Sequence, residues 1–353
     1  MASPARKRSR YHLDTESGTR DERNISDLIS HNSKIAILRF PPEILSQIAL
    51  EYKYKVMADE RSMRPHAWIR IAHVCHLWRE VVLRSPQLWA TFRVGSPEIT
   101  REFLTRSKAA LLTIKVQSQI CPLNKNETGP LAPQDSLVEV FQKFSEVQDI
   151  ELNLTFDQYK HLKIHPGFPE SVPNLHSITL RREMQHNSNS GASHWTVPTI
   201  FDSCPIPTLT HLTVEKYLVD WRNHLFTPTL THLVVESVAT TAYGMGDIFE
   251  SLRKMPNLIH LSLSFIRNPK GLTARPLKPA TPVNLPKLSY LFLSDTVTFC
   301  ACILPCLNFP STTILDIKIP ASEKRPDVTP LGPVIFQKLT KNPSLSPIRT
   351  AGL

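Results

Sequence analysis

Cysteine and histidine are the residue types of this chain whose spacing could support metal or nucleophilic chemistry. Cys300, Cys302 and Cys306 form a C-x-C-x₃-C pattern. A structural zinc site needs four ligands and usually takes its cysteines in C-x₂-C pairs, which this pattern lacks. We therefore interpret the three cysteines as buried or partly buried thiols and not as metal ligands.

Histidines lie close together at two further places. His73 and His76 flank Cys75 in a segment predicted to be helical, where His76 is expected at the surface and Cys75 in the core. His161 and His165 are spaced i, i+4, but no acidic or cysteine partner is near them in sequence. The motifs of a Walker loop, a serine hydrolase, a kinase and a zinc protease are also missing. We therefore predict that the protein is not an enzyme, and we assign no catalytic residue, metal site or cofactor.

A repeated frame, Pro-x-Leu-x-x-Leu-x-Leu, organises the C-terminal part of the chain. Clear copies begin at Pro173, Pro207, Pro228, Pro256 and Pro286, and weaker copies lie near Val147 and Pro310. The copies are separated by roughly 20 to 35 residues, in or near the range of leucine-rich repeats. In each copy the last two apolar residues are predicted to point inward from a short strand. Stacked copies would form a parallel sheet over a continuous apolar core.

The same alternation predicts which residues face away from that core. One predicted column contains Asp149, Ser177, His211, His232, His260 and Tyr290, and the next contains Glu151, Thr179, Thr213, Val234, Ser262 and Phe292. The three histidines and the tyrosine would form a polar, aromatic strip that donates and accepts hydrogen bonds. We predict that His211, His232, His260 and Tyr290 bind a partner. The alternative, that Thr-His-Leu is only a compatible strand sequence, remains open.

The N-terminal part has a different, helical pattern. Pro41 and Pro42 suit the start of a helix, and Glu43 would lie in its first turn. Ile44, Leu45, Ile48 and Ala49 would then form one apolar stripe. Trp68, Ile71, Ala72, Cys75, Trp78 and Val82 predict a second helical stretch that ends at Ser85-Pro86. The alternation from Leu88 to Val94 predicts a strand.

These N-terminal residues, in this order, resemble the F-box, a small helical module of cullin–RING ubiquitin ligases. The resemblance is carried by Phe-Pro-Pro-Glu-Ile-Leu, then His-Val-Cys-His-Leu-Trp-Arg-Glu-Val, then Ser-Pro-Gln-Leu-Trp. It is similar to F-box proteins abundant in mushroom-forming fungi, in which a leucine-rich-repeat-like tail follows the box. The resemblance implies that the module docks on the linker subunit that joins F-box proteins to the cullin, and that the tail holds a protein substrate for ubiquitin transfer. The implied linker-binding residues are Phe40, Pro41, Pro42, Glu43, Ile44, Leu45, Ile48, Val74 and Trp78.

The expected fold class is therefore α/β, with a small helical F-box module followed by an irregular leucine-rich-repeat-like solenoid. We expect a disordered basic tail over residues 1–34, the F-box-like module over 35–93 and the repeat region over 94–353. The alternative is a leucine-rich-repeat protein-binding scaffold, outside any ligase, whose F-box-like helices cap the solenoid.

Composition limits the remaining function classes. The 353 residues carry a net charge of +10, but the charges are dispersed, which disfavours nucleic acid as the partner. The six cysteines are too few for a disulfide scaffold. The N-terminus has no apolar signal segment, and no window approaches the length of a membrane span. We therefore expect an intracellular protein, cytoplasmic or nuclear, that does not enter membranes.

Overall fold

The structure is a computed structural model whose described residues form two compact units. It describes residues 35–58, 66–116, 134–154, 171–182, 204–238, 245–266, 282–319 and 329–340, together with Asp27, Ser30, His31 and Phe201. The helical unit comprises Met1–Glu60 and Ala67–Ser85, and the sheet unit comprises Arg61–His66 and Pro86–Leu353. The expected tail over 1–34, apart from Asp27, Ser30 and His31, lies outside the described residues, as do His161 and His165.

The helical unit is built from two α-helices, each preceded by a 3₁₀ turn. The turns are Ala36–Arg39 and Ala67–His73, and the helices are α1 (Pro42–Ala58) and α2 (His76–Arg84). Pro42 opens α1, where its missing N–H costs no intrahelical hydrogen bond. The apolar core of the unit consists of Leu45, Ala49, Trp68, Ala72, Trp78, Val81 and Val82.

The second helical stretch is interrupted, which the sequence pattern did not predict. Cys75 adopts an extended conformation between the 3₁₀ turn and α2. A continuous helix would fix the relative directions of Trp68 and Trp78 by its 3.6-residue period. The extended residue removes that constraint, and both tryptophans are buried.

The boundary between the units falls earlier than the expected module end at 93. The segment predicted to be a strand from Leu88 is instead the short helix α3 (Pro86–Ala90), followed by the three-residue strand β1 (Thr91–Arg93). Leu88, Trp89 and Ala90 are all buried, so their alternation with neighbours does not mark a half-buried strand. Both α3 and β1 belong to the sheet unit.

The sheet unit is organised around nine parallel strands that lie in chain order. After β1 these are β2 (Leu112–Val116), β3 (Val147–Asn153), β4 (Ser177–Arg181), β5 (His211–Glu215), β6 (His232–Val238), β7 (His260–Ile266), β9 (Tyr290–Ser294) and β11 (Ile314–Lys318). A separate parallel pair joins β8 (Val283–Asn284) to β10 (Leu307–Asn308). The other helices described in this unit are α4 (Pro97–Arg106), α5 (Gln134–Gln142), α6 (Met245–Arg253), α7 (Val297–Ile303) and α8 (Leu331–Thr340). The α/β prediction is therefore confirmed as a mixed α/β chain with a large parallel sheet.

The repeated frame explains why these strands stack. In every clear copy the three apolar positions are buried, as for Leu209, Leu212 and Val214 of the second copy. The first of them lies in the turn before the strand, and the other two point from the strand into the core. Each strand therefore buries one face, and its neighbours in the sheet continue the same core.

Candidate functional site

The surface of α1 exposes large apolar side chains although the unit has an apolar core. Ile44, Ile48 and Tyr52 follow one another at four-residue spacing, and all three are exposed. We call these three residues the α1 stripe. Phe40, immediately before the helix, and Val74, after the second 3₁₀ turn, are also exposed, Val74 to 64 %. Exposed apolar groups of this size in one small unit indicate a binding surface.

The predicted linker-binding residues divide between this surface and the core. Phe40, Pro41, Pro42, Glu43, Ile44, Ile48 and Val74 are all exposed. Leu45 and Trp78 are buried in the core of the unit, so they are inaccessible to a partner and can act only by holding the helices together. The predicted stripe of Ile44, Leu45, Ile48 and Ala49 is thus split, because Leu45 and Ala49 face inward and the isoleucines face outward.

Lys53 continues the inward stripe of α1 and is fully buried. Its Nζ lies 5.2 Å from the centroid of the Trp68 ring. Burial lowers the pKa of this ammonium from its usual value to about 7, because the charged form loses its hydration. The sequence pattern does not single out Lys53, since a lysine on a helix normally lies at the surface.

The sheet unit presents the predicted histidine column. Strand register aligns Asp149, Ser177, His211, His232, His260 and Tyr290 across five strand pairs. The ring centroids of His211 and His232 are 4.2 Å apart, those of His232 and His260 are 5.8 Å apart, and those of His260 and Tyr290 are 4.7 Å apart. All three ring pairs are stacked. The second predicted column, from Glu151 to Phe292, is also in register.

The imidazoles of the column favour their neutral form. Partial burial lowers the pKa of His211, His232 and His260. The neighbouring ring adds to this effect at His232 and His260, because two adjacent positive charges would repel each other. Asp149 opposes the shift in the pKa of His211, and His176 reinforces it. At neutral pH the column is therefore an uncharged stack.

A charged band lies beside the histidine column. Arg181 donates to Glu151 at 2.8 Å and to Glu215 at 3.0 Å, and Lys115 is 3.1 Å from Glu151. Glu215 and Glu236 are paired in register on β5 and β6. Sequence analysis did not name Arg181, Glu215 or Glu236, although extending the alternation by two residues along each strand would have found them.

An open groove runs along the edge at which the strands begin, and most of its exposed lining is apolar. It encloses about 490 Å³ and is lined by His176, Pro207, Thr208, Thr210, Thr229, Thr231, Asn257, Ile259 and Lys287. Each of its threonine hydroxyls bonds to a backbone carbonyl of a preceding repeat, as Thr229 does to Leu209 at 2.6 Å. Lys287 donates to the Asn257 side-chain oxygen at 2.8 Å. The groove is adjacent to the histidine column, because Thr210 and Thr231 directly precede His211 and His232.

The three cysteines considered for metal binding lie in α7 and in the 3₁₀ turn that follows it. Cys300 and Cys306 are buried, and Cys302 is partly buried. No group of three or more histidine, cysteine or acidic residues in the described part of the chain has the geometry of a metal site. No helix among the described residues is long and apolar enough to cross a membrane.

Comparison with known proteins finds no match: neither a family model, nor a curated protein, nor a solved structure is significantly similar to this chain. Functional interpretation therefore depends on the residues and on the two surfaces described above. One is the apolar surface of the helical unit, and the other is the polar face of the sheet.

Proposed function

We propose that this protein is a substrate-recognition adaptor of a cullin–RING ubiquitin ligase. In this proposal the helical unit is an F-box that binds the linker subunit and, through it, the cullin. The sheet unit is an irregular leucine-rich-repeat-like solenoid that binds a protein substrate. The adaptor performs no chemistry itself, and it raises the effective concentration of the substrate near the recruited conjugating enzyme.

The observation that carries the proposal is the exposed apolar surface of the helical unit. Phe40, Ile44 and Ile48 are among the apolar residues that the F-box resemblance assigned to linker binding, and their side chains are exposed. Leaving such groups in water sacrifices about 25 cal/mol for each Å² of apolar area that could be buried. A partner that covers this surface would recover that free energy, which is how a docking module works.

The sheet supports the second half of the proposal. Parallel strands in chain order, five of them within clear copies of the same frame, are typical of a leucine-rich-repeat stack. In such a stack the outward residues of successive strands form a continuous surface. Here that surface is polar, and it includes His211, His232, His260 and Tyr290, which we propose as substrate-binding residues.

The proposal is tested by linker capture with the purified full chain. The Ile44→Asp substitution places a carboxylate in the middle of the apolar surface, and linker binding should fall at least 100-fold. The matched control is Ile99→Asp on α4, because Ile99 is 42 % exposed and Ile44 is 46 % exposed. Circular dichroism should show both variants folded, and only Ile44→Asp should lose the linker.

Two outcomes would contradict the proposal. If the unmodified chain fails to capture the linker subunit, the ligase role is wrong, and the scaffold alternative with helices capping the solenoid becomes the better interpretation. If folded Ile44→Asp retains full linker binding, the docking surface is not the α1 stripe.

A further inference from the structure

The last strand of the sheet, β11, has an open edge. It ends the strand order and pairs only with β9 among the described residues. The N–H of Ile314 points toward β9, because it donates to the carbonyl of Ser289 at 2.8 Å. Backbone groups alternate in direction along a strand, so the N–H and C=O groups of Leu315 and Ile317 point away from β9. The described part of the chain supplies no partner for them, and such an edge is a template for a further strand.

The apolar face of β11 is also open. Leu315 and Ile317 are in register with Leu291 and Leu293 of β9, both of which are fully buried. Leu315 and Ile317 themselves are only half-buried. Ile319, directly after the strand, continues the alternation and is half-buried as well. The apolar row that runs through the sheet therefore still meets water at its last strand.

The opposite end of the sheet is covered. Phe92 of β1 is 1 % exposed, and its ring stacks on that of Phe103 in α4 with the centroids 5.0 Å apart. The short helix α3 packs on β1 and buries Leu88 and Trp89. The sheet unit closes its own first strand in this way, so the open apolar row at β11 is a property of one end and not of the sheet as a whole.

The outward face of β11 carries two opposite charges. Asp316 and Lys318 are both exposed and lie two residues apart, so they share one face of the strand. One carboxylate oxygen of Asp316 accepts from the hydroxyl of Tyr290 at 3.0 Å. No described residue forms an ion pair with Lys318. Read from either end, residues 315–319 alternate between apolar and charged, with the apolar residues at both ends and in the middle.

We infer that a second copy of this chain pairs with β11, edge to edge, about a twofold axis normal to the sheet. Such an axis makes the two β11 strands antiparallel and keeps each face on its own side, so the apolar row continues from one copy into the other. A twofold axis along the strand would set the apolar face of one copy beside the outward face of its partner. Both copies use the same edge, so the contact closes at a dimer. The inference does not depend on the proposed ligase role.

The residues of β11 select one register for this contact. With Ile317 opposite Ile317, the outward backbone groups of this residue form a hydrogen-bonded pair. Leu315 then lies opposite Ile319, and Asp316 lies opposite Lys318 in a pair that has no hydrogen bond, where side chains approach most closely. A shift of either strand by two residues would oppose Asp316 to Asp316 or Lys318 to Lys318. This self-complementary order favours a second copy over an unrelated strand as the occupant.

The first experiment is sedimentation velocity of the full chain from about 5 to 500 µM. The contact uses one short strand from each copy, so it belongs with weak interfaces, and we expect a dissociation constant on the order of 10–100 µM. A monomer–dimer equilibrium without larger species is the expected result. A monomer at every concentration would overturn the inference, because the edge is then covered in another way. Growth into larger oligomers would contradict the closed twofold contact.

The second experiment exchanges the charges of β11. Lys318→Asp and Asp316→Lys each place like charges opposite one another in both symmetry-related pairs, and each should raise the dissociation constant at least fivefold. The double variant restores opposite charges and should return to within about twofold of the unmodified chain. Lys254→Asp, at an exposed position directly after α6, is the control for net charge and should have no effect. A double variant as weak as either single variant, with circular dichroism showing all of them folded, would reject the register.

A third variant tests the backbone contact. Ile317→Pro removes an N–H that points away from β9, a position at which an edge strand tolerates proline, and it should abolish the dimer. Ile317→Val keeps the N–H and should retain the dimer. Full dimerisation of folded Ile317→Pro would overturn the inference. Ile44→Asp should leave the dissociation constant unchanged, and loss of the dimer in that variant would assign self-association to the α1 stripe instead of β11.

Discussion

The two units of this protein differ in how their outward faces compare with their buried faces. In the helical unit, α1 has an inward stripe that begins with Leu45 and an outward stripe that begins with Ile44, and both stripes are largely apolar. In the sheet unit, β5 and β6 bury leucine and valine on one face, and the other face carries histidine, threonine, valine and glutamate that are exposed or half-buried. The difference shows that burial within the sheet unit accounts for the apolar residues of the strands, whereas burial within the helical unit does not account for Ile44, Ile48 and Tyr52.

Exposed apolar side chains are unevenly divided between the units. Of the large apolar residues exposed among the described positions, eight belong to the helical unit and five to the much longer sheet unit. Under the proposed function, the helical unit would make an apolar contact with the linker, whereas the sheet would recognise its substrate through hydrogen bonds and charge, which favours selectivity over affinity.

The largest effect on stability should distinguish two neighbouring residues on α1, Leu45 and Ile44. Leu45→Ala removes a fully buried side chain and should destabilise the helical unit by about 2–5 kcal/mol. Ile44→Ala changes an exposed side chain and should alter stability by no more than about 0.5 kcal/mol. Hydrogen–deuterium exchange of peptides that cover α1 and α2 measures the difference in this unit. Equal protection of the amide hydrogens in the two variants would show that the inward and outward stripes of α1 do not differ in their contribution to stability.

Replacing Lys53 should give the next largest effect on stability, and this replacement should stabilise the helical unit. Its pKa is about 7 in the folded chain and 10.5 in the unfolded chain, so folding releases a proton between these pH values. Stability from this site is present above pH 10.5 and is lost as the pH falls to 7. Lys53→Met should therefore stabilise the helical unit by on the order of a few kcal/mol at pH 7, since the folded state no longer holds a buried amine.

The Lys53→Met gain should shrink as the pH rises toward 10, because the lysine of the unfolded chain then approaches its own pKa of 10.5 and the proton released on folding costs less free energy. Denaturant unfolding at pH 7, 8.5 and 10 measures this trend. A gain that does not depend on pH would mean that packing and not charge controls this position.

The histidine column should make the sheet unit sensitive to acid. The folded-state pKa values of His211, His232 and His260 lie below their ordinary value of 6.5, so the unfolded chain binds protons more readily. The resulting stability is present above pH 6.5 and is lost as the pH falls through the lower folded-state values. Replacing all three by glutamine should make the loss of stability between pH 7 and pH 5 shallower. Thermal unfolding across that range tests this, and an unchanged slope would contradict it.

Replacing Arg181 should have the smallest effect on stability. It joins Glu151 and Glu215 across three strands, but it is partly exposed, and ion pairs in that setting contribute only about 0.5–1 kcal/mol. Arg181→Met keeps most of the side-chain volume and should reduce stability by about that amount at low salt. The difference should diminish at high salt, where screening weakens the pairs. A loss above about 2 kcal/mol would show that Arg181 supports the sheet more like a core residue.

The sequence by itself determined most of the sheet. The Pro-x-Leu-x-x-Leu-x-Leu frame identified the buried residues of each clear repeat, and its alternation placed His211, His232, His260 and Tyr290 in one column. This works because a strand has a side-chain period of two, so a local pattern specifies the two faces without knowledge of the rest of the fold. Repeating the frame then sets the register of one strand on the next.

Tertiary structure alone decided the positions at which the local sequence pattern allows a residue two different placements. Ile44 and Leu45 are both apolar and adjacent on a helix, so only the packing of α1 against the second helical stretch determined which of them faces the core. The extended Cys75, the helix at Pro86–Ala90 and the burial of Lys53 were likewise absent from the local pattern. In each case the deciding contact is long-range, and periodicity within one element contains no information about it.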